Sequence, residues 1–285
     1  MIDIYLLQQL VSFAECGTLL AAAQKLHTSQ PAMTRSMKKL EEELGVTLFA
    51  RSKNHLALNE TGLRAAEYAR RVLEADAEFE SRVRAFDKSL HTLSIGFCAP
   101  VPQTVITPIL NNIFDCMTIS ADMMDDADFL KRIENGTYQL AVTHFAPQDP
   151  GFYCKKCGHE DLFISVHPGN PLTFYPKISL KDLDGLSILL LSRIGFWANT
   201  HRDKTPNSNY LLQVESDSFE ELVRNSDYPA FASSYFIRRK ETFPDRINIP
   251  ITDKECHTDY FLVCLSSDVE KYKALFKVVT DKTIF

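Results

Sequence analysis

Two cysteines spaced as a C-x-x-C pair, Cys154 and Cys157, with His159 just behind them, are the residues whose types most suggest chemistry. Such a pair can act as a redox dithiol or supply half of a zinc site. Zinc takes four ligands, and no second C-x-x-C or paired histidine motif follows nearby in the sequence. A redox pair of the thioredoxin kind opens a helix, whereas this pair stands in a stretch that enters a strand. We interpret the two residues as strand cysteines and keep a redox or metal role as the alternative.

Motifs of the common enzyme classes are missing from the sequence. It contains no G-x-S-x-G, H-E-x-x-H, P-loop or G-x-G-x-x-G. We therefore predict no catalytic residues, no cofactor and no metal site. The one tryptophan, Trp197, follows an apolar run that is typical of a strand, and we interpret it as a wall of a ligand cleft.

A polar and basic helix face is the second feature whose residue types suggest a function. Met33, Met37, Leu40 and Leu44 repeat at steps of four, three and four, which predicts a buried stripe on a helix from about Gln30 to Leu44. Gln30, Thr34, Arg35 and Lys38 then lie on the opposite face. A shorter helix, 19–26, precedes it across a tight turn, and a short hairpin with Arg51 and Lys53 at its tip follows. This arrangement is typical of a winged helix-turn-helix that binds DNA.

Composition agrees with a globular protein. Hydrophobic residues make up 45% of the 285 and charged residues 24%, and we expect neither a signal peptide nor a spanning helix. Residues 1–90 hold twelve basic and twelve acidic side chains, so the net charge of −6 belongs to the remainder. A neutral segment can still bind phosphate if its bases share one face. The seven cysteines favour a reducing compartment, and we expect a cytoplasmic protein.

Residues 7–62 resemble the N-terminal domain of LysR-type transcriptional regulators. The resemblance rests on Ala22-Ala23-Gln24-Lys25-Leu26-His27, Ser29-Gln30-Pro31-Ala32, Lys38-Lys39-Leu40-Glu41, Leu44-Gly45-Val46-Thr47-Leu48-Phe49, Arg51 and Thr61-Gly62. It implies that the third helix enters the major groove of operator DNA and that the wing touches the backbone. The DNA-binding residues implied in this way are Thr18, Ser29, Gln30, Pro31, Thr34, Arg35, Lys38, Arg51 and Lys53.

Residues 63–90 contain neither proline nor glycine and are predicted to form one long linker helix. An apolar seam with one acid runs along it at near-heptad spacing: Ala66, Ala69, Leu73, Asp76, Phe79, Val83, Phe86 and Leu90. Packing against the chain's own C-terminal part would bury this seam. The resemblance favours pairing with a second chain instead, giving a homodimer or homotetramer.

From about residue 92 apolar strands alternate with helices, which indicates α/β layers with a largely parallel sheet. This part resembles the effector domain of the same family. The fold class is thus an N-terminal winged helix-turn-helix (1–62), a linker helix (63–90) and a C-terminal two-lobed α/β domain of the periplasmic-binding-protein type (91–285). Lobe I would comprise about 91–162 and 266–285, and lobe II about 163–265.

The resemblance also places a small-molecule site in the cleft between the lobes. The effector-binding residues it implies are Cys98, Ala99, Pro100, Val101, Thr143, Ser192 and Ile194. A helix that begins just after the first of these offers free N–H groups, so we expect a seat for an anionic group there. We predict a ligand-controlled DNA-binding regulator. A thiol-redox-sensing regulator, or an enzyme that uses Cys154 and Cys157, is the alternative.

Overall fold

The computed structural model describes residues 2–52, 55–124, 128–241 and 243–285. Two compact units divide the chain, residues 1–84 and 85–285. The described helices and strands confirm the predicted fold class of a helix-turn-helix unit, a long helix and an α/β unit.

The first unit begins with three helices whose ends are fixed by local side chains. They are α1 (Ile4–Cys16), α2 (Leu19–Lys25) and α3 (Gln30–Leu44). Asp3 caps α1 by accepting from the Tyr5 amide at 2.9 Å, and Ser29 caps α3. Gly17 and Gly45 end α1 and α3 with positive φ. A hairpin of β1 (Phe49–Ser52) and β2 (His55–Leu58) follows, with Phe49 opposite Leu58.

The long helix α4 (Glu60–Ser89) continues from the hairpin, and it divides the predicted seam into two parts. Ala66, Ala69 and Leu73 pack against the core of the first unit. Phe79, Val83, Phe86 and Leu90 are more than half exposed. The prediction that all residues of this seam contact a second chain was therefore wrong, because the first turns of α4 cover the helix-turn-helix core.

The second unit is built on one sheet of nine described strands, with helices between them. In chain order its elements are β3 (Thr92–Phe97), α5 (Pro100–Ile113), β4 (Thr118–Met123), α6 (Phe129–Glu134), β5 (Leu140–Thr143), β6 (Phe152–Val166), β7 (Ser187–Leu191), α7 (Trp197–Thr200), β8 (Asn209–Gln213), α8 (Ser216–Asn225), β9 (Ala230–Ser233), α9 (Ser234–Arg238), β10 (Ile247–Pro250), β11 (His257–Leu265) and α10 (Lys273–Val278).

The sheet order β4-β3-β5-β11-β6-β9-β7-β8 corrects the prediction of a largely parallel sheet. Strands β4, β3 and β5 are parallel, as are β9, β7 and β8. The middle pairings β5–β11, β11–β6 and β6–β9 are antiparallel. The chain crosses between the two parallel groups on β6 and returns on β11, so these long neighbouring strands must run in opposite directions. We call the β4-β3-β5 side lobe I and the β9-β7-β8 side lobe II.

Three further details differ from the sequence-based expectation. The apolar pattern of the sequence predicts a strand at 161–166, but strand β6 begins nine residues earlier, at Phe152, and carries a register shift opposite Tyr260 and Phe261. Helix α8 and strand β10 were not anticipated. The last helix is α10 alone, after a separate 3₁₀ turn at Ser266–Asp268. None of the described helices has the length and apolarity needed to cross a lipid bilayer.

Candidate DNA-binding surface and effector site

Helix α3 presents a polar face because its apolar face is fully used in the core. Met33, Met37 and Leu40 are buried as predicted, but the prediction was wrong for Leu44, which is 38% exposed at the end of the helix. On the outer face Gln30, Pro31, Thr34, Arg35 and Lys38 are all exposed. The outer face therefore offers an amide, a hydroxyl and two cations within about two helical turns.

The hydrogen bonds on this face leave several of its groups open to a partner. The Thr34 hydroxyl donates to the Gln30 carbonyl at 2.9 Å, and Lys38 lies 3.7 Å from Glu42 with both side chains about two-thirds exposed. Arg35 forms no ion pair with any described residue. An exposed pair such as Lys38–Glu42 is weak, at about 0–1 kcal/mol, so a phosphate can displace the carboxylate.

Two further predicted contact residues hold the helices in place. Thr18 caps α2 by accepting from the Ala21 amide at 3.2 Å, and Ser29 accepts from the Ala32 amide at 3.3 Å. Between the helices His27 has a positive φ of 50°, which makes the tight turn. Both hydroxyls are exposed, at the N-terminal ends of their helices, where the backbone N–H groups favour an anion.

A carboxylate group holds the wing in place, and the sequence analysis did not predict this role. Glu41 on α3 accepts from the backbone amides of Leu48 (2.7 Å) and Phe49 (3.2 Å). Asn59 donates to the Thr47 carbonyl at 2.9 Å and accepts from the Gly62 amide at 2.7 Å. The wing is thus tied to α3 and α4 by polar contacts at its base. At its tip Lys53 lies outside the described residues, and of Arg51 only the backbone is described.

Gly62 belongs to this joint because no larger residue fits there. A Cβ added to Gly62 would stand 2.1 Å from the Leu48 carbonyl oxygen. The Thr61-Gly62 pair of the family pattern therefore has a physical role, since it lets the start of α4 touch the backbone of the wing.

The predicted effector residues lie in two loops that touch each other in the second unit. Cys98, Ala99, Val101 and Thr143 are at most 2% exposed, and Pro100, Ser192 and Ile194 are half-buried. The Phe196 amide donates to the Cys98 carbonyl at 3.0 Å, which joins the loop after β7 to the loop after β3. The Thr143 hydroxyl donates to the Phe145 carbonyl at 2.6 Å within its own lobe.

The start of α5, where we expected an anionic group to bind, offers few hydrogen-bond donors. Helix α5 begins at Pro100 and has a second proline at Pro102, so two of its first three residues carry no N–H group. Its N-cap residue, Ala99, contributes no side-chain hydrogen bond. The donors on which the expectation rested are largely missing from this chain.

A buried polar and aromatic cluster, which the sequence did not predict as a site, occupies the junction of the lobes. Glu160 on β6 is 3% exposed and accepts a hydrogen bond from the Tyr260 hydroxyl on β11. Burial raises the pKa of Glu160, and the hydrogen bond from Tyr260 offsets part of that rise. Trp197, interpreted as a cleft wall, is 3% exposed and stands against this group.

The C-x-x-C cysteines lie in the first half of β6 and not at the start of a helix. Three residues along a strand separate their α-carbons by roughly 10 Å, and a disulfide needs less than about 7 Å. Burial raises the pKa of the Cys157 thiol to about 12, and the thiols of Cys256 and Cys264 are raised to about 12 in the same way. Such thiols are poor nucleophiles at neutral pH. No group of three or more metal-ligating side chains was found in the described part of the chain.

Comparison with known proteins supplies the family. Residues 4–63 match the family model of the bacterial regulatory helix-turn-helix protein, lysR family, and residues 88–281 match that of the LysR substrate binding domain. The chain is 32% identical over 195 residues to the HTH-type transcriptional regulator TcbR of Pseudomonas sp. (strain P51). It is 33% identical over 193 residues to the HTH-type transcriptional regulator TfdS of Cupriavidus pinatubonensis.

Each of these two matches covers 66% of this chain and 66% or 65% of the relative, so they span just under two thirds of the relatives' length. A full-length OxyR variant from Pseudomonas aeruginosa has the same overall fold, with a TM-score of 0.52, 18% sequence identity and 100% coverage of both chains. Because the substrate-domain model alone covers more than half of the chain, and the helix-turn-helix model precedes it in order, this protein belongs to the LysR family of bacterial helix-turn-helix regulators.

Proposed function

We propose that this chain is a DNA-binding transcriptional regulator whose activity is set by a small molecule bound in its second unit. The observation that carries the proposal is the outer face of α3, where Gln30, Thr34 and Arg35 are exposed beside a hairpin fixed to the same helix. A helix with such a face fits the major groove, and the hairpin then reaches the adjacent backbone.

Each group on this face has a role that its chemistry suits. The Gln30 amide can pair with an adenine edge, and the Arg35 guanidinium can pair with guanine or hold a phosphate. Thr18 and Ser29 stand at helix N-termini, where a phosphate oxygen is stabilised by free N–H groups. Lys38, Arg51 and Lys53 would add sequence-independent attraction, which depends strongly on salt.

Assembly into a homodimer, or a tetramer of two dimers, completes this proposal. Phe79, Val83, Phe86 and Leu90 follow one another at steps of four, three and four, and all are more than half exposed in the single chain. A helix with such a seam needs a partner helix to cover it. Two chains joined by α4 present two recognition helices, which matches two half-sites on DNA.

Control by an effector would act through the two lobes of the second unit. Because β6 and β11 are the strands of the described chain that run between the β4-β3-β5 and β9-β7-β8 groups, the lobes can change their mutual angle by small changes in these strands. A ligand that favours one angle shifts the population of DNA-binding states. We place this activity in the cytoplasm, where the DNA is, and expect no catalysis and no cofactor.

The thiol-redox alternative is less well supported. Cys154 and Cys157 are too far apart along β6 to form a disulfide without moving the strand, and the Cys157 thiol is held neutral by burial. We expect a Cys154→Ala, Cys157→Ala double variant to bind DNA as the wild type does, with and without peroxide. A peroxide response that is present in the wild type and lost in the double variant would establish the redox mechanism.

A salt titration of DNA binding tests the proposed surface. Arg35→Ala should weaken binding by about 1–3 kcal/mol and reduce the slope of log K against log salt. The matched control is Arg224→Ala, which removes an exposed arginine from α8 and should change neither quantity. Equal losses in the two variants would show that α3 does not carry the contact.

A further inference from the structure

A side chain of lobe II contacts lobe I at the junction of the two lobes. The loop after β7, Ser192–Phe196, belongs to lobe II and runs to lobe I. There the Phe196 amide donates to the Cys98 carbonyl at 3.0 Å. The Phe196 ring lies flat on the ring of His144, with centroids 4.2 Å apart and planes at 7°. Phe196 therefore links the two lobes through both its backbone and its ring.

Gly195 shows how closely this loop is fitted to lobe I. It has a φ of 64°, and an added Cβ would stand 1.8 Å from the Cys98 carbonyl oxygen and 3.0 Å from the Met123 methyl group. No other amino acid allows the backbone to come this near. The backbone of this loop, and not the Phe196 ring alone, therefore determines the contact with lobe I.

The surroundings of the Phe196 ring form a small aromatic compartment. Trp197 lies beside it, with ring centroids 4.3 Å apart, and Tyr260 meets it edge-on at 6.5 Å. The Tyr260 hydroxyl donates a hydrogen bond to the Glu160 carboxyl group, so Glu160 is adjacent to this compartment. His144, Trp197 and Tyr260 thus surround the ring, and Glu160 supplies an acid next to these walls.

Glu160 lacks the cation that a buried carboxylate usually has. No lysine, arginine or histidine among the described residues forms an ion pair with it. Its neighbours are the neutral groups of Tyr260, Ser233 and Trp197 and the carboxylate of Asp161. Burial raises its pKa, which shows that the protein alone stabilises the charge poorly. An anionic ligand beside it would add a second uncompensated charge, whereas an ammonium group would supply the missing partner.

We propose that the effector of this chain is a small arylalkylamine, an ammonium group joined to an aromatic ring through a methylene, whose ring replaces Phe196 on the face of His144 and whose nitrogen binds Glu160. This inference rests on the proposed function of a ligand-controlled regulator. Aromatic walls suit a flat ring, and they also attract a cation through their ring faces. Displacement of Phe196 breaks its stacking on His144 and its hydrogen bond to Cys98, so binding of the amine releases one lobe from the other.

Benzylamine is the probe, and Trp197 is the reporter, because it is the one tryptophan of the sequence and touches Phe196. Phe196→Ala in the full-length chain should bind benzylamine about 10- to 1,000-fold more tightly than the wild type, since the competing ring is gone and the open state is no longer a minor one. Saturable change in Trp197 fluorescence and a rise in melting temperature measure the binding. Phe174→Ala, which removes an 86% exposed phenylalanine of the same unit, is the matched control and should bind as the wild type does.

A second variant tests the role of the acid. In the Phe196→Ala background, Glu160→Gln should remove the preference for benzylamine over benzyl alcohol while benzyl alcohol still binds, which also shows that the compartment is intact. Benzoate should bind neither variant with comparable affinity. Equal binding of benzylamine and benzoate, or no gain from Phe196→Ala, would overturn the amine site.

DNA binding separates this inference from the proposed function. If the wild type binds DNA and Phe196→Ala does not bind benzylamine, the regulator stands and the amine site is refuted. If the wild type fails to bind DNA at all, the proposed function is refuted, whatever the amine does. Benzylamine that binds Phe196→Ala but leaves its affinity for DNA unchanged would contradict the role of the amine as effector.

Discussion

Removal of one exposed ring from α4 should weaken association of the chain without unfolding it. Phe79 is 66% exposed. A phenylalanine presents about 200 Å², so about 130 Å² is available for burial, which is worth about 3 kcal/mol at about 25 cal/mol per Å². Two symmetry-related copies contribute in a dimer. Allowing for the methyl group that alanine keeps, Phe79→Ala should weaken dimerisation by about three orders of magnitude.

Sedimentation equilibrium over a range of protein concentrations measures this change. Alanine favours a helix at least as well as phenylalanine does, so the melting temperature of the dilute single chain should not fall. Phe174→Ala removes a more exposed ring outside α4 and should leave association unchanged. Leu73→Ala, on the part of α4 that packs against the first unit, should lower stability instead. Wild-type association of Phe79→Ala, or an equal loss in Phe174→Ala, would refute the assignment of the seam.

Three further variants test individual contacts. Gly62→Ala should destabilise the first unit by more than about 1 kcal/mol in urea melts, because its Cβ meets the Leu48 carbonyl; an unchanged midpoint would contradict the close approach. Arg246→Lys should cost about 2 kcal/mol, since the guanidinium of Arg246 donates to four backbone carbonyls and an ammonium cannot reach them all; full stability would argue against that network. The free energy of unfolding of the wild type should fall, relative to Glu160→Gln, as pH rises above the unfolded carboxyl pKa of about 4.3, because the folded state keeps the Glu160 proton beyond that pH; parallel curves would contradict the raised pKa.

Local chemistry explains why the helix-turn-helix was predictable from the sequence. The caps at Asp3 and Ser29 and the glycines that end α1 and α3 act within a few residues of their own positions. Once the periodic apolar stripe of α3 is identified, the remaining residues of the helix are predicted to be exposed. Signals of this range are present in the sequence itself, and the structure reproduces them.

The junction of the lobes was not predictable, because its contacts join distant parts of the chain. Glu160 and its partner Tyr260 are 100 residues apart, and each looks ordinary among its neighbours in the sequence. His144 and Phe196 meet only once the order of the strands is known. The strand that holds Glu160 is rich in charged residues, and its register shift opposite Tyr260 and Phe261 depends on pairing with the distant strand β11.

The seam of α4 shows the same limit within one helix. Leu73 and Phe79 follow one periodic pattern, but Leu73 packs on the core of the first unit and Phe79 is exposed. Periodicity identifies an apolar face and does not say which partner covers it. That distinction depends on the tertiary packing of α1, α3 and the wing.

Selection of bound duplexes from a random-sequence DNA pool is the most direct test of the central claim, that α3 reads operator DNA. The full-length wild type should enrich a motif of two related half-sites, as expected for paired recognition helices. Gln30→Ala should enrich a motif with relaxed preference at one position in each half-site, and Gln8→Ala, an exposed glutamine on α1, should enrich the wild-type motif. No enrichment by the wild type, or one unchanged motif from all three proteins, would contradict the account.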